Sequence, residues 1–241
     1  LRLRDPAVRR AIIDEPISEK LLSILPPLQR VLATEWSRIF LLSDPPDYEP
    51  EPDRSIAALA ARAGKAPAEY AYDYLVEGDG DRLLYFPVTN YATGDHEPIR
   101  EMLTDKHTLL GLGDGGAHVG VICDASLPTF MLTHWVRDRK RGERLPLEMI
   151  VKRQTSATAD FFGLRDRGRL EVGKRADINL IDYAALRLHI PELAYDLPAG
   201  GKRLVQRVDG YVMTIVAGAP IFERGHATGA MPGKLVRSTR L

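Results

Sequence analysis

The chain has 241 residues, 44% of them hydrophobic, which is enough apolar material to bury a sizeable core. Its 33 basic side chains balance 33 acidic ones, so no global field draws it to nucleic acid or anionic lipid, and a small-molecule substrate is the better expectation. A single cysteine, Cys123, excludes an internal disulfide framework and any multi-cysteine zinc site. No apolar run approaches the ~18 residues of a membrane span, and no basic cluster with a following apolar stretch opens the chain, so the expectation is a cytoplasmic protein with no membrane partner. The chain starts at Leu1 within a charged, helix-like stretch over 5–15, which suggests a piece of something longer.

From residue 5 to 163 helical and short strand-like runs alternate. Pro45, Pro46, Pro50 and Pro52, with acidic residues between them, make one stiff loop. Ser55 suits the cap of a helix over 56–63 that stops at Gly64, and Pro67 opens a second helix ending near Gly78. A strand over 83–86 follows, then a helix capped by Asp95 that runs through Met102 and Leu103. Residues 108–112 read as another strand and lead directly into Gly113, Asp114, Gly115, Gly116, Ala117 and His118. Strand, helix and strand in that order describe a βαβ unit with parallel strands. Helices are expected over 128–136, 146–153 and 156–162, the last ending at Gly163. Beyond 164 the pattern turns to strands, at 177–181 and in a hairpin of 211–216 with 221–222. The Gly-rich, basic tail over 225–241 reads as draped over a surface. The expected domains are therefore 1–163 and 164–241.

Asp114 stands at the C-terminal end of an expected parallel strand, in a glycine-rich turn that lets backbone approach a ligand. A carboxylate there can serve as general base or share in holding a metal. The competing reading is that it only satisfies turn amides. Gly111, Gly113 and Gly116 also match G-x-G-x-x-G, which raises dinucleotide binding and an oxidoreductase. That fingerprint needs a helix starting within the loop, whereas 117–126 carries no cap. The six histidines, His96, His107, His118, His134, His189 and His226, show neither H-x-H nor H-E-x-x-H spacing. His118, four residues past Asp114, is a candidate for substrate contact or for support behind the site; His134, beside Trp135, reads as a core or interface residue.

Two motifs resemble the amidohydrolase superfamily and its D-aminoacylase, or N-acyl-D-amino-acid deacylase, branch. One is the run 110–118 containing Asp114, which is similar to the end of the eighth barrel strand with its catalytic aspartate. The other runs from Thr155, Ser156, Ala157, Thr158 and Ala159 through Gly163, Asp166, Arg167, Gly168 and Gly173 to Ala176, Asp177 and Asp182. It resembles the passage from the last barrel helix into a small β domain. The hairpin over 212–221 and Gly229, Ala230, Met231, Pro232 and Gly233 are similar to the end of that branch.

The resemblance implies an α/β fold: the C-terminal portion of a TIM-like (β/α)8 barrel, followed by strands of a small β-sandwich. It implies a hydrolase of amide C–N bonds acting on N-acyl-D-amino acids with one or two Zn ions. Asp114 would be the catalytic base and a metal ligand, with Gly115 and Gly116 near the substrate; His118 departs from the branch and stays a candidate for substrate contact or for support behind the site. The family's H-x-H and its bridging lysine, glutamate or cysteine have no counterpart here, so the other ligands are expected from a missing N-terminal barrel region and the isolated chain is expected to be inactive. Open barrel edges would call for a covering partner, the missing region or a second copy in a homo-oligomer. A non-catalytic domain that keeps the fold without the site is the remaining alternative.

Overall fold

The structure is a computed structural model that describes residues 2–16, 18, 23, 35–111, 113 and 118–236. Contacts divide the chain into two compact units, Leu1–Arg100 and Glu101–Leu241, so both sides of the 163/164 position lie in the second.

In the first unit Asp5 caps the helix Pro6–Asp14 by accepting the Ala7 N–H at 2.7 Å, and Pro6 supplies the preset φ of the first turn. Ser55 caps the helix Ile56–Arg62 through the Ala58 N–H, and Pro67 opens the helix Pro67–Val76. Ile56 and Ala60, one turn apart, are fully buried. Ile56 joins Ile39 and Ala71 in a core flanked by Trp36, Leu41, Tyr70, Leu84 and Phe86.

Strand β1 (Phe40–Leu41) pairs antiparallel with β2 (Leu84–Tyr85). This corrects the expected parallel βαβ unit. The strand at 83–86 exists, but its partner is a two-residue segment too short to carry an alternation signal. Residues 108–111 form no strand, and 112 lies outside the described residues. The Thr108 carbonyl instead accepts an Arg153 N–H at 3.0 Å. Among the described residues every paired strand is antiparallel.

The second unit runs Leu127–Phe130 straight into a π-helical stretch, Met131–Asp138, then the helices Leu147–Gln154 and Ser156–Phe161. The sequence pattern expected an ordinary helix at 128–136, and periodicity alone does not distinguish i→i+5 from i→i+4 bonding. Strands follow: β3 (Ile178–Ile181), β4 (Arg187–Leu188), β5 (Glu192–Leu197), β6 (Gly201–Val205), β7 (Val208–Asp209), β8 (Tyr211–Val216), β9 (Ala219–Glu223) and β10 (His226–Ala227). One sheet has the order β10-β9-β8-β3, while β4–β7 and β5–β6 are separate pairs. The mixed α and β content is as expected, and the start of the tail departs from expectation by pairing as β10.

The β8–β9 turn has Ala217 at φ 51° and Gly218 at φ 81°, the signature of the two-residue hairpin turn that matches strand twist. Asp177 steadies it by accepting the Ala217 N–H at 2.8 Å. Arg137, whose Nε and Nη2 both donate to the Asp138 carboxylate, also donates to the carbonyls of Tyr183 and Leu186 at 2.7 and 2.8 Å. That fastens the π-helical stretch to the 182–186 loop. No described helix is long and apolar enough to cross a membrane.

Gly210 has φ 98°, and a Cβ there would lie 2.6 Å from Leu186 Cα and 3.0 Å from the Asp182 carbonyl. Gly210→Ala is expected to cost about 2–4 kcal/mol, from backbone strain plus overpacking, measurable by denaturant unfolding. In the first unit Arg9 bonds both oxygens of Asp73, at 2.7 and 3.1 Å, and Lys65 adds a bond at 2.7 Å. The Arg9 guanidinium, aided by Lys65, holds the Asp73 carboxyl down at about 2. A depressed folded-state pKa contributes stability above the ordinary value near 3.8 that disappears as pH falls through about 2. Asp73→Asn is therefore expected to lower stability at pH 7 and to flatten the loss between about pH 4 and 2, read from unfolding midpoints across pH; an unchanged acid limb would show the network to be inert.

Candidate functional site

The first unit buries an acid and a histidine side by side. Glu49 sits in the proline-rich loop at 3% exposure, and His96, at 6%, precedes the helix Glu97–Thr104. The loop is tied down at three points. Asp47 accepts the Glu49 N–H at 3.0 Å, Tyr85 donates its hydroxyl to the Tyr48 carbonyl at 3.2 Å, and Tyr91 donates to the Pro50 carbonyl at 2.6 Å. Glu49 Oε1 then accepts the backbone N–H of His96 at 2.7 Å, while Oε2 lies 4.0 Å from His96 Nδ1.

The His96 carbonyl accepts the Arg100 N–H at 2.9 Å, so His96 occupies the cap position of the helix and Glu49 brings its negative charge to the positive end of the dipole. Asp95, the expected cap, contributes one step further in by accepting the Glu97 N–H at 3.0 Å. The Tyr91 ring stands edge-on to His96 at 5.1 Å and to Phe40 at 6.3 Å.

This pair offers one carboxylate and one imidazole, short of the three protein ligands of a catalytic zinc site. Neither unit by itself brings three His, Cys, Asp or Glu ligand atoms together among its described residues. Those residues do not make up a zinc set within a unit.

Asp114, Gly115 and Gly116 lie outside the described residues. His118 is described: it is exposed, has φ 49°, and its carbonyl accepts the N–H groups of Val121 and Ile122 at 2.9 and 3.0 Å. The next residue, Val119, accepts the Leu204 N–H at 2.7 Å with its carbonyl, which ties the chain just past His118 to β6. After the glycine triplet the first helix among the described residues begins at Leu127, too late for a dinucleotide fingerprint.

His134 stacks on Phe130 at 4.5 Å and meets Trp135 edge-on at 5.2 Å. His107 lies beside Asp105 and His189 beside Asp209, both at the surface. Burial pushes the Cys123 thiol pKa up, with help from Asp124, so it is no ready nucleophile.

The sequence profile of the amidohydrolase family matches residues 48–222. The chain belongs to the amidohydrolase family. The matched span takes in Glu49, His96, the Asp114 turn and the strands through β8. A D-aminoacylase of Alcaligenes xylosoxydans xylosoxydans is 28% identical over 188 residues, covering 77% of this chain and 34% of the relative. A solved D-aminoacylase described as defining a novel subset of amidohydrolases is 25% identical, with 80% of this chain and 36% of that one aligned at a TM-score of 0.41. Another, studied for its binuclear metal centre, is 24% identical with the same coverage and score. The expected resemblance to the D-aminoacylase branch is met by the sequence match to the Alcaligenes enzyme, and this amidohydrolase chain spans about a third of the length of the relatives it matches.

Glu49 and His96 carry no sequence signal that separates them from their neighbours. Glu49 is one of several acids among prolines, and His96 is a lone histidine; only the fold selects them for burial. Glu49→Ala leaves a buried N–H unmatched and is expected to destabilise the first unit by about 1–3 kcal/mol, whereas Glu49→Gln keeps an acceptor and should cost clearly less. Denaturant unfolding of both variants checks this, and equal losses would mean that the charge, not the hydrogen bond, matters.

Proposed function

We propose that the protein carrying this chain is a metal-dependent hydrolase of amide C–N bonds whose substrates are N-acyl-D-amino acids. The observation that carries this reading is the family match over 48–222, which encloses the glycine-rich turn with Asp114. The similarity to D-aminoacylases supports the choice of substrate.

In this reading Asp114 is the general base. Its carboxylate takes a proton from the attacking water and returns it to the leaving nitrogen, so the amide is cleaved to a carboxylate and a free amine. The surrounding glycines let backbone N–H groups approach the substrate, and His118 lies beside it. Zinc, one or two ions, is the proposed cofactor, and its ligands apart from Asp114 would come from elsewhere in the protein. For the architecture, residues 1–163 would complete a (β/α)8 barrel and 164–241 would contribute strands to a small β domain; the antiparallel pairs over 178–227 support the second part.

Asp114→Asn in the whole protein is expected to lower kcat by about 10²–10⁴ with KM changed much less and bound zinc mostly retained. The carboxamide keeps the shape but does not accept the proton. A kcat near normal with a modest loss of melting temperature would assign Asp114 to bracing its turn and remove the base from this reading.

A further inference from the structure

The first unit has a cavity of about 330 Å³ lined by Arg38, Phe40, Pro52, Tyr91, Thr93 and Gly94, within the usual size range of small-molecule sites. Its floor is aromatic and preset. Phe40 and Tyr91 are buried, at 3% and 5% exposure, and meet edge-to-face. The Tyr91 hydroxyl is committed to the Pro50 carbonyl and the Thr93 hydroxyl to Asp95, so neither needs an occupant.

Arg38 is different. Its guanidinium lies over the Phe86 ring at 5.2 Å and donates from Nη2 to the Pro87 carbonyl at 3.3 Å. It has no carboxylate partner among the described residues, and its Nε–H is buried without a hydrogen-bond acceptor. Other arginines of the unit, Arg9, Arg54 and Arg82, each hold a carboxylate. A guanidinium without a carboxylate on the wall of a cavity is a ready anion site, and a carboxylate is the group that fits a guanidinium edge.

We propose that this cavity binds a small organic carboxylate with an apolar body, the carboxylate on Arg38 and the body on Phe40, Tyr91 and Pro52. The cation alone would take any anion, and the aromatic floor alone would take any apolar molecule; the combination selects one that carries both. The proposal does not rest on the hydrolysis proposed at Asp114, and its test needs no turnover.

The experiment is calorimetric titration of the 241-residue chain with phenylacetate, its neutral isostere phenylacetamide, and acetate. Phenylacetate is expected to bind with Kd of about 1 mM or tighter, the range for a ligand of this size, and on the order of tenfold better than the amide or acetate. Arg38→Gln should abolish the preference for acid over amide while leaving weak binding of both. Ala92→Trp, which adds bulk from an exposed wall position, should block both ligands with the melting temperature unchanged.

Absence of phenylacetate binding at tens of millimolar, equal binding of acid and amide, or a preference that survives Arg38→Gln would overturn the assignment. Acetate or chloride binding as well as phenylacetate would show an adventitious ion only. Should Arg38→Gln fail to fold, Ala92→Trp decides alone: retained binding in that variant overturns the proposal.

Discussion

A carboxylate buried at 3% exposure accepts a backbone N–H 47 residues further along the chain, and the first unit is organised around that bond. Burying a charged group is costly unless its oxygens are engaged. Glu49 answers that cost by capping a helix N-terminus, where backbone donors have no partner of their own. The bond fixes the proline-rich loop against the 91–96 loop, and the hydroxyls of Tyr85 and Tyr91 hold the same loop by its carbonyls at 48 and 50. Tyr91 in turn forms the floor of the Arg38 cavity. Helix capping, loop position and cavity shape are thus one mechanical arrangement.

The second unit is held by polar clamps between its helical and β portions. Arg137 reaches two carbonyls of the 182–186 loop, and Gly210 lets the chain before β8 pass within van der Waals contact of that loop. The backbone bond from Leu204 to Val119 anchors the 118–122 segment on β6.

Local chemistry was legible in the sequence where one residue decides the outcome. Ser55 and Pro67 start their helices, and the hairpin at 211–223 closes through its Ala217–Gly218 turn, tighter than the 217–220 connection expected. Pairing was less legible. The strand at 83–86 announced itself by its apolar run, but its partner Phe40–Leu41 is only two residues long. Residues 108–111 have strand composition and no ladder, since strand propensity does not supply a neighbour. The Glu49–His96 contact depends on two loops meeting, which no local pattern encodes. Asp114 was singled out by its glycine-rich surroundings and then by motif resemblance, and the family match encloses it.

Metal-dependent amide hydrolysis by the whole protein is the central proposal. The most direct measurement is amine release from N-acetyl-D-amino acids by the whole protein, as prepared, after chelation and after zinc is restored, with bound metal counted in each state. About one or two zinc ions per chain, with turnover lost on chelation and recovered with zinc, is the predicted result. Turnover indifferent to chelation, or none in metal-replete protein across the substrate series, would contradict it.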